Sequence, residues 1–525
     1  MSNIFSFFRL MAAAWVMARE GVVVALPGDS LTGLPKLGWR IGAALARRRS
    51  LDDTRSERLS RALNRLGPSY IKLGQFLGSR PDLVGNAISR DLESLQDNVA
   101  PFPTDEAKAL VEASLGRSIE EMFTRFDEPL AAASIAQVHR ARLAAPMQAT
   151  TGTAPTSDEL DVAVKVVRPG VRARFARDLN TFYFAARMAE RFAPALRRLR
   201  PVVVVDSLAQ TTRIELDLRM EAAAFSELAE NTRSDPGILV PRVDWERSGR
   251  DCVTMDWVDG IKLSDEAGLK AAGLDRAALA VTLIQTFLRH AIRDGFFHAD
   301  MHPGNVFALP DGRLALIDMG IMGRIGVNER RFLAEILYGF INRDYRRVAE
   351  VHFEAGYVPR HHDVDSFAQA IRAIGEPIHG QSAETVSMAK LLTLLFEVTE
   401  LFDMQTREEL ILLQKTMVVV EGVARILDPN FNMWKSAEPV VGDWIARNLG
   451  PLGEVRQAAD AVRTLYALGK RLPEFAARTE TLIEDFEVLA RQGARSDKRG
   501  LGWSGLGAIW VAALALAAIA IGLLT

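Results

Sequence analysis

Apolar positions recur with a helical period over most of this chain and with a period of two in only a few short stretches, which predicts a largely helical protein built around a small sheet. Near the start, Ile4, Phe7, Phe8, Met11 and Trp15 fall at i, i+3, i+4, i+7 and i+11, with Asn3, Ser6 and Arg9 off the stripe. Such a stripe fits either a helix lying in a membrane interface or an ordinary core face. It lacks the long apolar h-region and small-residue cleavage site of a secretory signal. Breakers between Pro27 and Pro35 precede a helical pattern through Leu59, Leu63 and Leu66, interrupted at Gly67-Pro68. Ser69 is the candidate N-cap of the next helix, on which Lys72 and Gln75 lie one turn apart on one face. Helical character continues to Leu115, with turn residues at Pro101 to Pro103.

From Pro129 the pattern changes. Ala131 to His139 and Val162 to Val167 read as strands around a small-residue turn, separated by a loop insertion rich in Ala, Thr, Gly, Ser and Pro at Ala144 to Ser157. Helical patterns return from Val171 to Ala229, with Val202 to Val205 compatible with strand or helix. Cys252 to Trp257 reads as a strand, and Asp311-Gly312 before the apolar run Leu314 to Ile317 reads as a hairpin that delivers Asp318 from a strand end. From Asn328 to Ala490 the pattern is helical, without an internal repeat.

Composition narrows the class. A length of 525 residues is enough for more than one folding unit, and a formal charge of -2 argues against a dedicated nucleic-acid binder. The single cysteine, Cys252, can form no intramolecular disulfide and fits a core position in a reducing compartment. Residues 501 to 525 carry no charge, and Leu506 to Leu524 is long enough as a helix to cross a hydrocarbon core of roughly 30 Å. Arg491, Arg495, Lys498 and Arg499 precede this run, so the positive-inside rule places the remainder of the chain on the cytoplasmic side.

The candidate chemistry centres on Phe297 to Asn305 and on Asp318-Met319-Gly320. An Asp, then an Asn, then a strand-borne Asp before a small residue is a phosphoryl-transfer arrangement. Asp300 can accept a proton or orient a nucleophile, while Asn305 and Asp318 offer hard oxygen ligands to Mg2+. Val162-Ala163-Val164-Lys165 has the form of a strand lysine that contacts nucleotide phosphates, and such a lysine needs an acidic partner. Glu215, Asp217 and Glu221 are the candidates. On one continuous helix Asp217 and Glu221 would share a face with Glu215 well round from both, which suggests two separate partners, Lys165 and Lys72.

These residues carry a family resemblance. The chain resembles the UbiB family of atypical kinase-like proteins, bacterial relatives of mitochondrial proteins that support coenzyme Q biosynthesis. Lys72-Leu73-Gly74-Gln75 resembles its KxGQ motif, Ala131-Ala132-Ala133-Ser134 its alanine-rich loop, Glu215-Leu216-Asp217 its ExD motif, and Leu412 to Arg425 its helical C-terminal part. The resemblance implies ATP or ADP and Mg2+ as cofactors. It gives Lys165, Glu221, Ala131 to Ser134, Met255, Glu215 and Asp217 to nucleotide binding, Asn305 and Asp318 to the metal, and Asp300, Lys72 and Gln75 to catalysis and its gating. Lys72 would reach to the Glu215 and Asp217 region over the place where a protein kinase admits its peptide. Two departures from ordinary kinases support that difference: alanines replace the glycines that let backbone amides close on phosphate, and Ala299 stands where the catalytic loop of a kinase has Arg. No Ala-Pro-Glu follows Asp318.

The expected fold class is α+β, a protein-kinase-like two-lobed fold with a helical N-terminal extension and one C-terminal transmembrane helix. Its parts are a membrane-proximal helical segment at 1 to 58, a KxGQ extension at 59 to 128, a small lobe at 129 to 260, a helical large lobe at 261 to 490 and an anchor at 501 to 525. The expected activity is that of a Mg-dependent ATPase or unorthodox kinase at the cytoplasmic face of the inner membrane, supporting ubiquinone biosynthesis. Expected partners are membrane lipids, ubiquinone precursors and other ubiquinone-biosynthesis proteins, with no nucleic acid and with a homodimer left open. Protein kinase and non-catalytic, ATP-gated lipid-binding scaffold are the competing classes.

Overall fold

A computed structural model describes residues 2–25, 34–46, 53–78, 80–93, 100–144, 161–380, 398, 401–404 and 408–450. The architecture below is that of the unit Met1–Trp444.

The N-terminal helix α1, Ser2–Arg19, leaves its apolar stripe in solvent: Ile4, Phe8 and Trp15 are each more than half exposed, and Phe5 joins them. The stripe is thus not a core face. The opposite side buries Ser6 and Ala13. Helix α2, Arg55–Leu66, begins with a reciprocal capping box, in which Glu57 N–H donates to the Thr54 hydroxyl at 3.3 Å and Thr54 N–H donates to the Glu57 carboxylate at 2.8 Å. It ends at Gly67, whose φ of 98° only glycine adopts without strain. Helix α3, Pro68–Gly78, follows at once. Ser69, the expected N-cap, instead lies inside α3 and is fully buried, because Pro68 occupies the first helical position, where its missing N–H costs nothing. Leu63, Ile71 and Leu92 form the core of this extension, with Met17 and Leu59 packed against them.

Helix α4, Thr104–Leu115, leads to a four-stranded antiparallel sheet of β1, Phe123–Ala132, β2, Ala136–Leu143, β3, Asp161–Val167, and β4, Cys252–Asp256, in that order. Strand β1 starts ahead of the pattern change at Pro129. Its polar residues and register shifts near Phe126 and Pro129 hide the alternation. In β3, Val162, Val164 and Val166 are buried with Ala107, Val111 and Cys252, while Ala163 and Lys165 point to the other face. Each such valine contributes on the order of 1.5 to 3 kcal/mol, so the face that Lys165 presents is fixed by its neighbours.

Between β3 and β4 run three helices, α5, Val171–Phe192, α6, Pro201–Glu215, and α7, Leu218–Asn231. The ambiguous stretch Val202 to Val205 is helical. Pro201 starts that helix, and Val205 and Leu208 pack against Phe182. Glu215 and Asp217 are not on one continuous helix with Glu221: α6 stops at Glu215, and Asp217 is the N-cap of α7, accepting from Arg219 N–H at 3.2 Å. An Asp two residues past a helical run competes for the backbone as a cap, which the uniform 100° rotation ignores.

The second lobe is mostly helical. Helix α8, Arg276–Leu288, passes into a π-helical turn at Arg289–Asp294, and Gly295 at φ 68° turns the chain into β5, Phe296–His298. Strands β6, Val306–Ala308, and β7, Leu314–Leu316, form the expected hairpin around Asp311-Gly312, flanked by the short strands Ile238–Leu239 and Ile261–Lys262. Strand β8, Met322–Arg324, pairs with β5. Helices α9, Val327–Ile341, α10, Tyr345–Glu354, and α11, Val364–Gly380, share a core of Phe340, Tyr345, Phe367 and Phe402. Helix α12, Glu408–Leu427, packs on α8, and α13, Met433–Asn448, follows. Among the described residues no helix is long and apolar enough to cross a membrane, and the expected anchor at 501 to 525 lies outside them.

Candidate functional site

The two-residue pleat that buries Val164 and Val166 turns Lys165 toward α7 and the end of the β6–β7 hairpin. There its ammonium donates to Glu221 at 2.6 Å and to Asp318 at 3.2 Å. Three segments far apart in sequence meet at this nitrogen. Lys165 and Glu221 are nearly enclosed, whereas Asp318 is 39% exposed and so forms the open wall of the cleft.

The charges fit that geometry. Burial opposes the charged form of Lys165, but the carboxylates of Asp318 and Glu221 outweigh it and raise its pKa. Burial likewise pushes Asp318 up, yet the Lys165 charge, the Gly320 N–H at 2.8 Å and His298 bring it down to about 2. Burial raises Glu221 despite its lysine. With Lys165 positive and Asp318 and Glu221 both close by, the cluster carries surplus negative charge on its open side.

The loop after β5 is held from several directions. His298, buried and kept below its usual range by desolvation, accepts from Asp300 N–H at 3.0 Å through Nδ1. Asn305 donates through Nδ2 to the Asp300 carbonyl at 3.2 Å, which orients its amide. Ala299 N–H donates to Ile321 at 3.0 Å, and Thr416 on α12 donates to the Ala299 carbonyl at 3.0 Å. The Asp300 side chain stays exposed. His298 sits two residues from Asp300 and could have been read as the loop's acceptor; Thr416 had no local signal, since its partner is 117 residues away.

The alanine loop closes the end of β1. Ala131 and Ala132 finish the strand, Ala133 N–H donates to Ala136 at 2.8 Å, Arg168 donates to the Ala133 carbonyl at 3.0 Å, and Ser134 is buried. Met255 lies on β4 opposite Ala163, 4% exposed.

A second lysine–glutamate pair joins α3 to the end of α6. Lys72 on α3 reaches Glu215 at 2.7 Å, while Gln75 is half-buried one turn along the same helix. Asp217 joins neither lysine. It binds Arg219 through both oxygens, at 2.9 and 2.6 Å. Helix α3 is seated by Tyr70, Leu73 and Phe76 on Phe182, Val205 and Leu208. Tyr70 and Phe182 meet edge to face at 5.0 Å.

The donor set suits a hard divalent cation. Asp318 has an open carboxylate edge, and the bond from Asn305 Nδ2 to Asp300 leaves the amide oxygen of Asn305 as its available ligand.

The chain is similar to known proteins. The ABC1 atypical kinase-like domain matches residues 94–352 and the UbiB helical domain matches residues 371–432. A "Probable protein kinase UbiB" from Azotobacter vinelandii is 38% identical over 491 residues, covering 91% of this chain and 88% of the relative. One from Vibrio cholerae is 38% identical over 496 residues, covering 94% of this chain and 87% of the relative. The solved erythromycin complex of Rv3197 from Mycobacterium tuberculosis is 24% identical, covers 72% of this chain and 93% of that one, and has a TM-score of 0.47. With a kinase-like domain, a helical domain of the same family and relatives matched along nearly their whole length, this chain belongs to the UbiB family of atypical kinase-like proteins.

Proposed function

We propose that the chain is a Mg-dependent ATPase or unorthodox kinase that supports ubiquinone biosynthesis at the cytoplasmic face of the inner membrane. The observation that carries the catalytic part is the Lys165–Glu221–Asp318 cluster, one buried ammonium shared by a closed carboxylate and an open one. In this reading Lys165 holds nucleotide phosphate oxygens and Glu221 fixes the direction of its ammonium. Asn305 and Asp318 hold the metal, which would neutralise phosphate charge when bound. Asp300 orients or deprotonates the acceptor, its main chain fixed by His298 and Asn305.

The exposed apolar side of α1 and the uncharged run at 506 to 524 support the membrane part, and the relatives' name supports the pathway. Ubiquinone precursors and other ubiquinone-biosynthesis proteins are then the partners. Lys72 and Gln75 are gating residues, because α3 is clamped to the segment that leads into α7. Asp318→Asn should abolish ATP hydrolysis on liposomes while leaving the fold intact by circular dichroism. Hydrolysis at the wild-type rate sinks the catalytic assignment.

The printed name of the relatives favours a second reading, transfer of phosphate to proteins. Ala299 in the catalytic loop counts against it, since no arginine is present there to read a phosphorylated activation segment. Labelled ATP with membrane extract separates the two: labelled proteins other than the enzyme itself support the second reading.

A further inference from the structure

Helices α5 and α6 enclose a cavity of about 490 Å³ that the proposed catalysis does not use, a volume suited to one small molecule. Its floor is apolar, with Phe175, Leu179 and Leu216 among the lining residues. Its mouth is basic. Arg172 is committed to Asp251 and to the Leu216 carbonyl, but among the described residues neither Arg213 nor Arg250 is ion-paired. The carboxylate at this edge, Asp217, is taken by Arg219 on both oxygens.

Thr212 also lines the cavity, but its hydroxyl oxygen is closed off within the wall. Guanidinium groups without an ion pair beside an apolar wall describe a particular ligand class.

We propose that this cavity binds an amphipathic anion, with a carboxylate or phosphate head between Arg213 and Arg250 and an aryl or short alkyl body on Phe175, Leu179 and Leu216. The occupant also touches the seat of α3, because Leu179 and Tyr183 line the cavity and pack on the same cluster of Phe182, Val205 and Leu208 as Tyr70, Leu73 and Phe76. Three residues beyond Thr212, on the same helix, Glu215 holds Lys72. Occupancy therefore tightens α3. Any effect of that on turnover rests on the reading of α3 as a gate, whereas the binding does not.

The test uses the full chain in zwitterionic nanodiscs without nucleotide, with 4-butylbenzoate as probe and its methyl ester as the neutral control. Calorimetry should show the acid binding at least about tenfold more tightly than the ester. The Arg213→Ala/Arg250→Ala double variant should weaken the acid by about tenfold or more. Hydrogen exchange of α3 should slow when the acid binds. Displacement of the probe by phosphatidylglycerol vesicles assigns the natural head to a lipid, and displacement by inorganic phosphate assigns it to a soluble acid. Equal affinity for acid and ester, or an unchanged affinity in the double variant, overturns the site. Because no nucleotide is present, failure here and failure of the ATPase reading are distinguishable.

Discussion

Two lysine–glutamate pairs sit in this molecule at almost the same distance and depth. Lys72–Glu215 closes at 2.7 Å with side chains 14% and 6% exposed, and Lys165–Glu221 closes at 2.6 Å with 11% and 7%. Lys165 also faces a second carboxylate. Asp318 lies 3.2 Å from Lys165 and opens to solvent, so this site is left with uncompensated negative charge where a cation and a polyphosphate can enter. The Lys72–Glu215 pair ties α3 to the end of α6. Pair geometry alone therefore does not distinguish a latch from a catalytic site. Charge balance and access do.

The sharpest way to break this contrast is to neutralise the two glutamates separately. Glu221→Gln should cost on the order of a thousandfold in ATPase kcat/KM, about 4 kcal/mol, because Lys165 loses the group that fixes it on phosphate. Glu215→Gln should change that parameter far less and report instead in the melting temperature. Equal losses in steady-state kinetics would mean that both pairs belong to the chemistry.

Stability should show the reverse order. Lys72→Met leaves the Glu215 carboxylate, 6% exposed, without its cation, and removing one member of a buried pair costs about 3 kcal/mol or more. The double change Lys72→Met/Glu215→Leu should recover most of that loss, since the desolvation of both charges disappears with them. Urea unfolding of the three proteins measures it. A double variant no more stable than Lys72→Met would show that the pair is not a simple latch.

Acid separates the ion pairs from the rest of the fold. Asp318 stays ionised down to about pH 2. Two buried histidines give way earlier: burial holds His290 at about 3 and His352 at about 4, the latter donating to the Val348 carbonyl at 2.7 Å. Unfolded, each takes a proton near pH 6.5. Below that pH the unfolded chain binds more protons, so stability present above 6.5 falls by about 1.4 kcal/mol per histidine per pH unit toward pH 4. From pH 6.5 to 5.5 the two together remove under about 3 kcal/mol. His352→Leu should flatten the slope of stability against pH measured by chemical denaturation, and an unchanged slope would reject the assignment.

The cleft was far more legible in the sequence than the contacts that support it. Asp300, Asn305 and Asp318 are close in the chain, and the valines around Lys165 set its face by simple alternation. The split between α6 and α7 was not visible, because the capping of α7 by Asp217 overrides a continuous helical period. Nor was the exposure of the α1 stripe, since periodicity shows that a face is apolar but not what covers it. Long-range bonds such as Thr416 to Ala299 depend on lobe packing and leave no local trace.

The smallest expected effect tests how the latch is aimed. Gly67, at φ 98° and ψ -170°, separates α2 from α3 and so sets the direction in which Lys72 leaves the extension. An added Cβ there would stand 2.1 Å from Arg174 on α5, whose guanidinium donates to the Leu66 carbonyl at 2.7 Å. Gly67→Ala therefore combines a backbone conformation that L-residues avoid with displacement of Arg174, and should cost about 2 kcal/mol in thermal or urea unfolding. Its effect on ATP hydrolysis should follow that of Glu215→Gln rather than that of Glu221→Gln. If instead it lowers kcat as Glu221→Gln does with no loss of stability, the orientation of α3 is part of the catalytic site, and the two lysine–glutamate pairs act as one unit.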